Sequence, residues 1–214
     1  MTETEAARRV PVVLVHGIWM TGVELMPLAH TLRRAGFEPH VFHYPSLRRP
    51  LAWSADRLDR YIAGLGSEQV HLLGHSLGGL LLVHLFDRHP AQPPGRVLML
   101  GSPIRGSGVA RSVSRRQLLR PLLGHATDHA LLGDLPPWRG DRPVAMIAGT
   151  RGVGVGNLLG GLQPPHDGTV SLSETKADWL DAHLSVPHSH FGMLLAPEVH
   201  RAAIRWFREG VLAS

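Results

Sequence analysis

The residues Gly74-His75-Ser76-Leu77-Gly78 place a serine between two glycines, a pattern that can activate the serine as a nucleophile. Chance could produce this pattern in a chain with 24 glycines, so its context decides how it is interpreted. An apolar run, Val70–Leu73, precedes the serine, and a second apolar run, Leu80–Phe86, follows it. The order strand, glycine-flanked serine and helix is typical of the nucleophile elbow, a sharp turn that exposes the hydroxyl. The sequence therefore predicts Ser76 as a nucleophile.

A nucleophilic serine needs a base within hydrogen-bond reach, and the base needs an acid that orients it. Two histidines near the C-terminus, His188 and His190, are candidates for the base. Both follow the last predicted strand. The residues alone leave the choice between them open.

Asp167 is the acid favoured by its place in the chain, because it lies between the serine and the histidines in the order of a known catalytic arrangement. It occupies a turn that precedes an alternating, strand-like stretch, where a carboxylate can reach inward. Asp178 and Asp181 lie closer to the histidines. Their polar, helix-like surroundings are typical of a solvated loop, so we favour Asp167.

Six apolar runs and the helical patterns between them must position these side chains. The predicted strands are Pro11–Val15, Phe37–Tyr44, Val70–Leu73, Arg96–Gly101, Pro143–Gly149 and His183–Val186. The predicted helices are Thr21–Ala35, Leu51–Leu65, the stretch after the elbow and Pro197–Glu209. Strands that alternate with helices indicate an α/β protein whose sheet is mostly parallel and flanked by helices.

Two segments interrupt this alternation. Residues 102–142, here named the cap segment, lack a strand pattern and contain paired leucines, so we expect a small helical cap inserted in a single domain of residues 1–214. Residues 149–161 are rich in glycine without the Gly-x-Gly-x-x-Gly spacing. A flexible loop beside the site is therefore a better interpretation than a phosphate cradle.

These pieces together resemble the α/β-hydrolase family, especially small bacterial lipase-like and esterase-like members related to the inositol-deacylase group. The matching segments are Val15-His16-Gly17-Ile18-Trp19, Gly74-His75-Ser76-Leu77-Gly78-Gly79, Gly101-Ser102-Pro103, Asp167-Gly168-Thr169-Val170 and Ser189-His190 with Gly192-Met193-Leu194. In such proteins a Ser-His followed closely by Met-Leu contains the catalytic histidine, so the resemblance selects His190. His188 stands where an apolar residue is expected, which keeps it as the alternative base.

The resemblance also implies an oxyanion hole, which needs two main-chain N–H groups. One is that of Leu77, directly after the nucleophile. The other is that of Ile18, because His16-Gly17 resembles the His-Gly motif of lipases. Gly17 permits the tight turn and His16 organises the loop, and we predict that both belong, with Trp19 and Met20, to the substrate-binding residues. Trp19 and Met20 line the acyl pocket or, alternatively, pack under the cap.

The predicted activity is that of a serine hydrolase that cleaves carboxylic esters through an acyl-enzyme and requires no cofactor. The substrate is a small-molecule or lipid ester. The same triad could instead act on thioesters or transfer the acyl group to another acceptor. A non-catalytic scaffold that binds a lipid or an anionic partner is a further alternative.

Composition limits the remaining classes. The chain of 214 residues has no cysteine, which excludes disulfides, thiol nucleophiles and cysteine zinc sites. His125 and His129 flank Asp128, but no third ligand pattern is visible, so we predict no metal site. Neither a signal peptide nor an apolar run of transmembrane length is recognisable, so a cytoplasmic location is expected.

The net charge of +5 is concentrated in arginine, because Lys176 is the one lysine. Residues 88–127 contain seven arginines and no acidic residue. A nucleic-acid surface, a basic cap over anionic or lipid substrates and a solvated face are all compatible with this charge. We expect no nucleic-acid partner and allow a transient contact with a membrane surface, while the oligomeric state stays open.

Overall fold

Six parallel strands form one sheet in the computed structural model of the chain, which describes residues 9–127, 130–154 and 156–212. The strands lie in the order β2-β1-β3-β4-β5-β6 across the sheet. Their bounds are β1 Pro11–Val15, β2 Glu38–Phe42, β3 His71–His75, β4 Val97–Leu100, β5 Val144–Gly149 and β6 Ala182–Val186. The four central strands are buried along their whole length, because helices cover both faces of the sheet.

The helices divide between the two faces of the sheet. Their bounds are α1 Met26–Arg34, α2 Leu51–Gly64, α3 Leu77–Arg88, α4 Gly108–Ser114, α5 Gly156–Leu159 and α6 Pro197–Glu209. On one face α2 and α3 pack together with α4 of the cap segment, and on the other face α1 packs against α6. The prediction of an α/β fold with a parallel sheet flanked by helices is therefore confirmed.

Two predicted elements differ from the structure. The helix predicted over residues 21–35 begins instead with a 3-10 turn, Val23–Leu25, and α1 follows it with a proline in its first turn, where the missing N–H costs no hydrogen bond. The strand-like stretch after Asp167 is not a strand. His166 and Ser171 form an isolated bridge, and a 3-10 helix, Leu172–Thr175, then begins with a capping box between Ser171 and Glu174.

The loops that follow β1, β3, β4, β5 and β6 all leave the sheet at its carboxyl edge. In parallel α/β sheets this is the edge at which ligands bind. The parallel register places Val15 beside Gly74 and His75 beside Leu100. The candidate residues of the first, third and later loops are therefore brought to one end of the molecule.

Candidate active site

Ser76 occupies the sharp turn between β3 and α3. Its φ of 54° and ψ of −120° lie in a region that residues with a side chain rarely adopt. Such a conformation costs about 1–3 kcal/mol and is maintained where the surrounding structure fixes it. Here the main-chain N–H of Ser76 donates to the main-chain oxygen of Leu100 at 2.8 Å. The main-chain oxygen of Ser76 accepts from the Gly79 N–H at 3.0 Å. The turn thus presents the serine from a rigidly held backbone.

The glycines on either side of the serine are required by close backbone approaches. A Cβ atom at Gly78 would lie 2.2 Å from the Val15 oxygen, and one at Gly74 would lie 2.5 Å from the Gly79 nitrogen. Real Cβ atoms do not approach this closely, so α3 can cross the sheet here only without side chains at these positions. The spacing that identified the elbow therefore has a packing cause.

Asp167 is held by its own turn. Its carboxylate oxygen Oδ1 accepts from the N–H groups of Thr169 at 2.9 Å and Val170 at 2.7 Å. The other oxygen, Oδ2, lies 2.6 Å from His190 Nδ1. Only 1% of Asp167 is exposed, so its carboxylate has lost its hydrogen bonds to water, and these three donors replace them.

His190 is attached to Asp167 through both its side chain and its backbone. Its Nδ1–H donates to the carboxylate, and its main-chain N–H donates to the Asp167 oxygen at 2.9 Å. With Nδ1 as the donor, the neutral ring has its lone pair on Nε2. His190 and Ser76 line the same cavity, so both side chains are accessible to a molecule bound there.

His188 has a different environment from His190. Its ring Nε2 pairs with the Glu198 carboxylate on α6. Asp181, one of the alternative acids, accepts a hydrogen bond from the Val144 N–H at 2.7 Å and so closes the start of β5. Asp181 is nevertheless exposed in a bend before β6, as expected for a solvated loop, and the structure brings Asp167 rather than Asp181 to His190.

His75 is a buried residue of the site that the sequence did not single out. Its ring lies 4.7 Å from that of His190, and its Nε2 is 3.2 Å from the His190 oxygen. Burial lowers the pKa of His75 well below its usual value, and the neighbouring His190 lowers it further. Its position directly before the serine of the elbow is the signal that could have placed it here.

The loop after β1 packs directly against the serine. A Cβ atom at Gly17 would lie 3.2 Å from Ser76 Cβ and 3.1 Å from Met20 Sδ, which leaves little room for a side chain. Ile18 lines both cavities that contain Ser76. Leu77 is the first residue of α3, where helix N–H groups point toward the turn. Ile18 and Leu77, the residues predicted to supply the amides of an oxyanion hole, therefore both lie beside Ser76.

His16 does not line these cavities as the predicted substrate-binding role requires. Its ring stacks on Tyr44 at 4.5 Å and borders a separate cleft with His43. The Tyr44 hydroxyl donates to the His16 oxygen at 2.9 Å, and burial lowers the pKa of the imidazole. The substrate-contact part of the prediction is corrected for this physical reason, whereas the structure agrees with the expected organising role in the loop.

Two cavities of different character contain Ser76. The smaller, of about 50 Å³, is almost wholly apolar. Its walls are Ile18, Trp19, Pro103, Ser107, Val109, Ala110, Val113, Leu123, Leu131, Leu159, Thr169 and Val170. The larger, of about 240 Å³, contains His190. Its other walls are Gly17, Ile18, Trp19, Met20, His75, Val153, Gly154, Thr169 and Phe191.

Several wall residues were not singled out from the sequence. Val153 and Gly154 belong to the glycine-rich loop, whose predicted place beside the site is what the structure shows. Thr169 lies two positions after Asp167 in the same turn and borders both cavities. Met20 borders the larger cavity, which His190 also lines.

The cap segment faces the small cavity with one leucine from each of two pairs, Leu122–Leu123 and Leu131–Leu132. Leu123 and Leu131 are buried walls of the cavity. Leu122 is half exposed and Leu118 is 94% exposed. Leu119 packs against the core without lining the cavity, so only part of the predicted apolar cover reaches the site.

Three arginines of the cap segment lie on its outer side. Arg111, Arg115 and Arg116 are exposed, and Arg111 Nη2 is 3.6 Å from the Glu174 carboxylate. Glu174 also accepts from the Gly108 N–H at 2.6 Å, which attaches the start of α4 to the turn that follows Asp167. Burial raises the pKa of Glu174. Part of the predicted basic run is therefore a structural ion pair.

Within the described ranges, no three histidine, aspartate or glutamate side chains converge as a metal site, and no helix is long and apolar enough to cross a membrane. Asp128 and His129, considered above with His125 as possible ligands, lie outside the described residues. The candidate site thus consists of the serine, the Asp167–His190 pair, the flanking amides and two adjoining cavities.

Comparison with known proteins bears on this arrangement. The sequence profile described as the alpha/beta hydrolase family matches residues 12–211. Curated protein sequences yield no significant match. The mature form of the Bacillus licheniformis lipase BlEst2 is 20% identical, with a TM-score of 0.70 over 91% of this chain and 90% of that one.

Two Bacillus subtilis structures are also similar to the chain. The ydeN gene product is 19% identical, with a TM-score of 0.64 over 94% of this chain and 100% of that one. Naproxen esterase, carboxylesterase NP, is 14% identical, with a TM-score of 0.58 over 94% of this chain and 85% of that one. At these identities the shared feature is the fold.

Proposed function

The chain belongs to the alpha/beta hydrolase family, and from this premise we propose that it is a serine hydrolase that cleaves carboxylic esters through an acyl-enzyme. One observation carries the proposal. The His190 ring, held by Asp167 at 2.6 Å, opens onto the cavity that Ser76 also lines. A serine, a base and an orienting acid in this relation form the arrangement that activates a hydroxyl.

In the first half of the reaction Ser76 Oγ attacks the acyl carbon, and His190 Nε2 accepts the hydroxyl proton. The N–H groups of Ile18 and Leu77 donate to the oxygen that becomes negative. Asp167 keeps the ring in the tautomer with Nδ1–H and stabilises the imidazolium. The carbon–oxygen bond to the alcohol then breaks, and the alcohol departs with the proton from His190.

In the second half His190 takes a proton from water, and the resulting hydroxide equivalent attacks the acyl carbon of the Ser76 ester. The tetrahedral intermediate collapses, the acid leaves, and His190 returns the proton to Ser76 Oγ. No atom from a cofactor takes part. An alcohol or amine in place of water would give acyl transfer, and a thioester substrate would follow the same steps.

The two cavities have different roles in this proposal. The larger contains His190, which must protonate the leaving alcohol, so the alcohol occupies that cavity. The small apolar cavity under the cap segment then takes the acyl group. Its volume of about 50 Å³ favours short acyl chains over long ones. The solved structures of similar fold include a lipase and an esterase, which agrees with an ester substrate.

We further propose that a lipid surface can present the ester. Trp19 and Phe191, which line the larger cavity, and Leu122 in the cap segment are each about half exposed. Exposed apolar residues around a cavity mouth favour contact with another apolar surface. The subgroup related to inositol deacylases stays a prediction, because the matching profile describes the family as a whole.

A fluorophosphonate probe tests the nucleophile. The probe should form a covalent adduct with Ser76, which peptide mass spectrometry locates, and Ser76→Ala should lose both labelling and ester turnover while its circular dichroism is unchanged. Ser102→Ala is the matched control, because Ser102 is a buried serine at the end of the neighbouring strand β4. Labelling of another serine in the Ser76→Ala protein would remove Ser76 from the mechanism.

A further inference from the structure

Trp19 connects the loop after β1 to the cap segment. Its indole Nε1–H donates to the main-chain oxygen of Leu122 at 2.7 Å, across 103 positions of the chain. Leu122 belongs to the 3-10 helix Arg120–Thr127. Trp19 directly follows Ile18, whose N–H is the proposed donor of the oxyanion hole. This bond therefore joins the cap segment to the residue beside that donor.

Trp19 adopts a backbone conformation that a large side chain disfavours. Its φ is 60°, and Ser76 is the other described non-glycine residue with positive φ. Strained conformations of this kind persist where surrounding contacts enforce them, and they are concentrated at functional sites. The bond to Leu122 is such a contact, because it fixes the indole and with it the direction of the chain after Ile18.

Ile18 is consequently held between two anchors. On its N-terminal side the His16 oxygen accepts from the Tyr44 hydroxyl at 2.9 Å. On its C-terminal side Trp19 is bound to Leu122. The first anchor belongs to the body of the protein, near β2, whereas the second belongs to the cap segment. A shift of the cap segment therefore changes one end of the loop and leaves the other in place.

The same turn of the cap segment forms a wall of the small apolar cavity. Leu123 lines that cavity directly after Leu122, whose oxygen receives the indole N–H. The turn is fixed beyond this point by the His125 N–H, which donates to the Leu47 oxygen at 3.0 Å. An acyl group that presses on Leu123 thus acts on the peptide that holds Trp19.

We propose that Trp19 is a positioning residue that couples the acyl-cavity wall of the cap segment to the orientation of the Ile18 N–H. The inference rests on the proposed function, because it concerns how the cap segment regulates the oxyanion hole of that same site. When the cap segment is seated over an acyl group, the bond from Trp19 to Leu122 aligns the Ile18 amide with the developing oxyanion. When the segment shifts, the amide loses this alignment.

The test separates alignment of the oxyanion hole from simple packing. Trp19→Phe keeps an aromatic ring and removes the N–H, while Trp19→Gly removes the bond and accommodates a φ of 60° without strain. Trp53→Phe is the control, because Trp53 is an exposed indole on α2 outside both cavities. Each protein is assayed with p-nitrophenyl acetate and butyrate. It is also titrated with a trifluoromethyl ketone and its methyl ketone counterpart.

A trifluoromethyl ketone forms a hemiketal oxyanion on the serine, whereas the methyl ketone binds without one. For both Trp19 variants we expect kcat and trifluoromethyl ketone affinity to fall about tenfold, less than the 10²–10³ lost when an oxyanion donor is removed. For Trp19→Phe, which keeps an aromatic wall, KM and methyl ketone affinity should change less than about twofold, because ground-state binding is retained. Trp53→Phe should match the wild type in all four measurements.

A double-mutant cycle then tests the coupling itself. Leu123→Ala removes the cavity wall that adjoins Leu122, so the loss of trifluoromethyl ketone affinity from Trp19→Phe should be smaller in the Leu123→Ala background. Additive losses would overturn the coupling. A rise in KM with unchanged kcat would show that Trp19 is only a wall of the cavities and would equally overturn it. Covalent labelling of Ser76 in the same proteins reports separately on the proposed function.

Discussion

The imidazole Nε2 of His75 lies 3.2 Å from the main-chain oxygen of His190. A carbonyl oxygen can only accept, so Nε2 is the protonated nitrogen of the His75 ring and Nδ1 is not. The lowered pKa of His75, caused by burial, keeps this neutral tautomer at neutral pH. The residue before the nucleophile thus holds the backbone of the proposed base, and it bridges the elbow and the loop after β6.

Replacement of His75 should therefore reduce catalysis without touching the reacting atoms. His75→Phe keeps a ring and removes the donor, so kcat should fall about three- to tenfold, the value of one ordinary hydrogen bond of about 0.5–1.5 kcal/mol. His75→Gln offers a side-chain N–H and should recover part of the loss. The rate of fluorophosphonate labelling measures the effect. Equal rates in the wild type and His75→Phe would contradict this role.

The two histidines near the C-terminus should differ strongly in their effect on turnover. His190→Ala removes the proposed base, and by analogy with triad deletions kcat should fall by roughly 10³-fold or more. His188→Ala should retain kcat within about fivefold, because it loses an exposed ion pair with Glu198, and such pairs contribute about 0–1 kcal/mol. Steady-state kinetics with p-nitrophenyl acetate decide between them, and the opposite ranking would transfer the role to His188.

The size of the small cavity should set the preferred acyl chain. Val113 is a buried wall of that cavity on α4. Val113→Phe fills it and should lower kcat/KM for butyrate about tenfold relative to acetate, since one methylene in a pocket is worth about 1–3 kcal/mol. Val113→Ala should shift the optimum toward longer chains. Leu118→Ala, at the exposed position of the cap segment, is the control, and an identical chain-length profile in all variants would place the acyl group elsewhere.

Salt should modulate activity on lipid surfaces through the exposed arginines of the cap segment. Arg111 is excluded from this test because it pairs with Glu174. Arg115→Gln with Arg116→Gln should weaken adsorption to anionic vesicles by about 2 kcal/mol, at about 1 kcal/mol for each arginine. The difference should shrink as salt shortens the Debye length from about 10 Å at 0.1 M. Turnover of p-nitrophenyl acetate should be unchanged.

The control for this salt experiment is the pair Arg33→Gln and Arg34→Gln, which changes the charge equally on α1, on the other face of the sheet. If both pairs of substitutions weaken vesicle binding alike, net charge alone is responsible, and the cap segment has no special part in it.

Acid should destabilise the fold through its buried histidines. Burial lowers the pKa of His71 to about 4 and also lowers that of His16. A histidine whose pKa is lower in the folded state stabilises the protein above about pH 6.5, and this contribution is lost as the pH falls. For His71 the loss approaches about 3 kcal/mol by pH 4.

Urea unfolding between pH 7 and 4.5 measures this dependence. The free energy of unfolding should decrease with falling pH in the wild type and decrease less in His71→Leu. That variant should be less stable at pH 7, because the Arg96 N–H loses its acceptor on the His71 ring. His30→Gln, at an exposed position on α1, should reproduce the wild-type slope. A parallel slope in His71→Leu would mean that His71 binds protons equally in the folded and unfolded states.

The sequence predicted those parts of the site that local pattern determines. Ser76 was identified by the glycines that close packing requires, and Asp167 by a turn whose own amides bind the carboxylate. The bond from Trp19 to Leu122 and the contact between His75 and His190 span more than 100 positions each, so no local pattern reports them. The inward positions of Leu123 and Leu131 were equally unpredictable, because the cap segment lacks the regular periodicity from which a face is assigned.

Asp167 and His190 form a unit that does not depend on the serine. The carboxylate is bound by the N–H groups of its own turn, and the Asp167 oxygen accepts the His190 N–H. The nucleophile, by contrast, is presented by a separate turn between β3 and α3. The nucleophilic side chain can therefore be exchanged while the proton-transfer half stays assembled, so cysteine at position 76 would meet an imidazole already in place. The nucleophile turn can thus be redesigned separately from the Asp167–His190 pair.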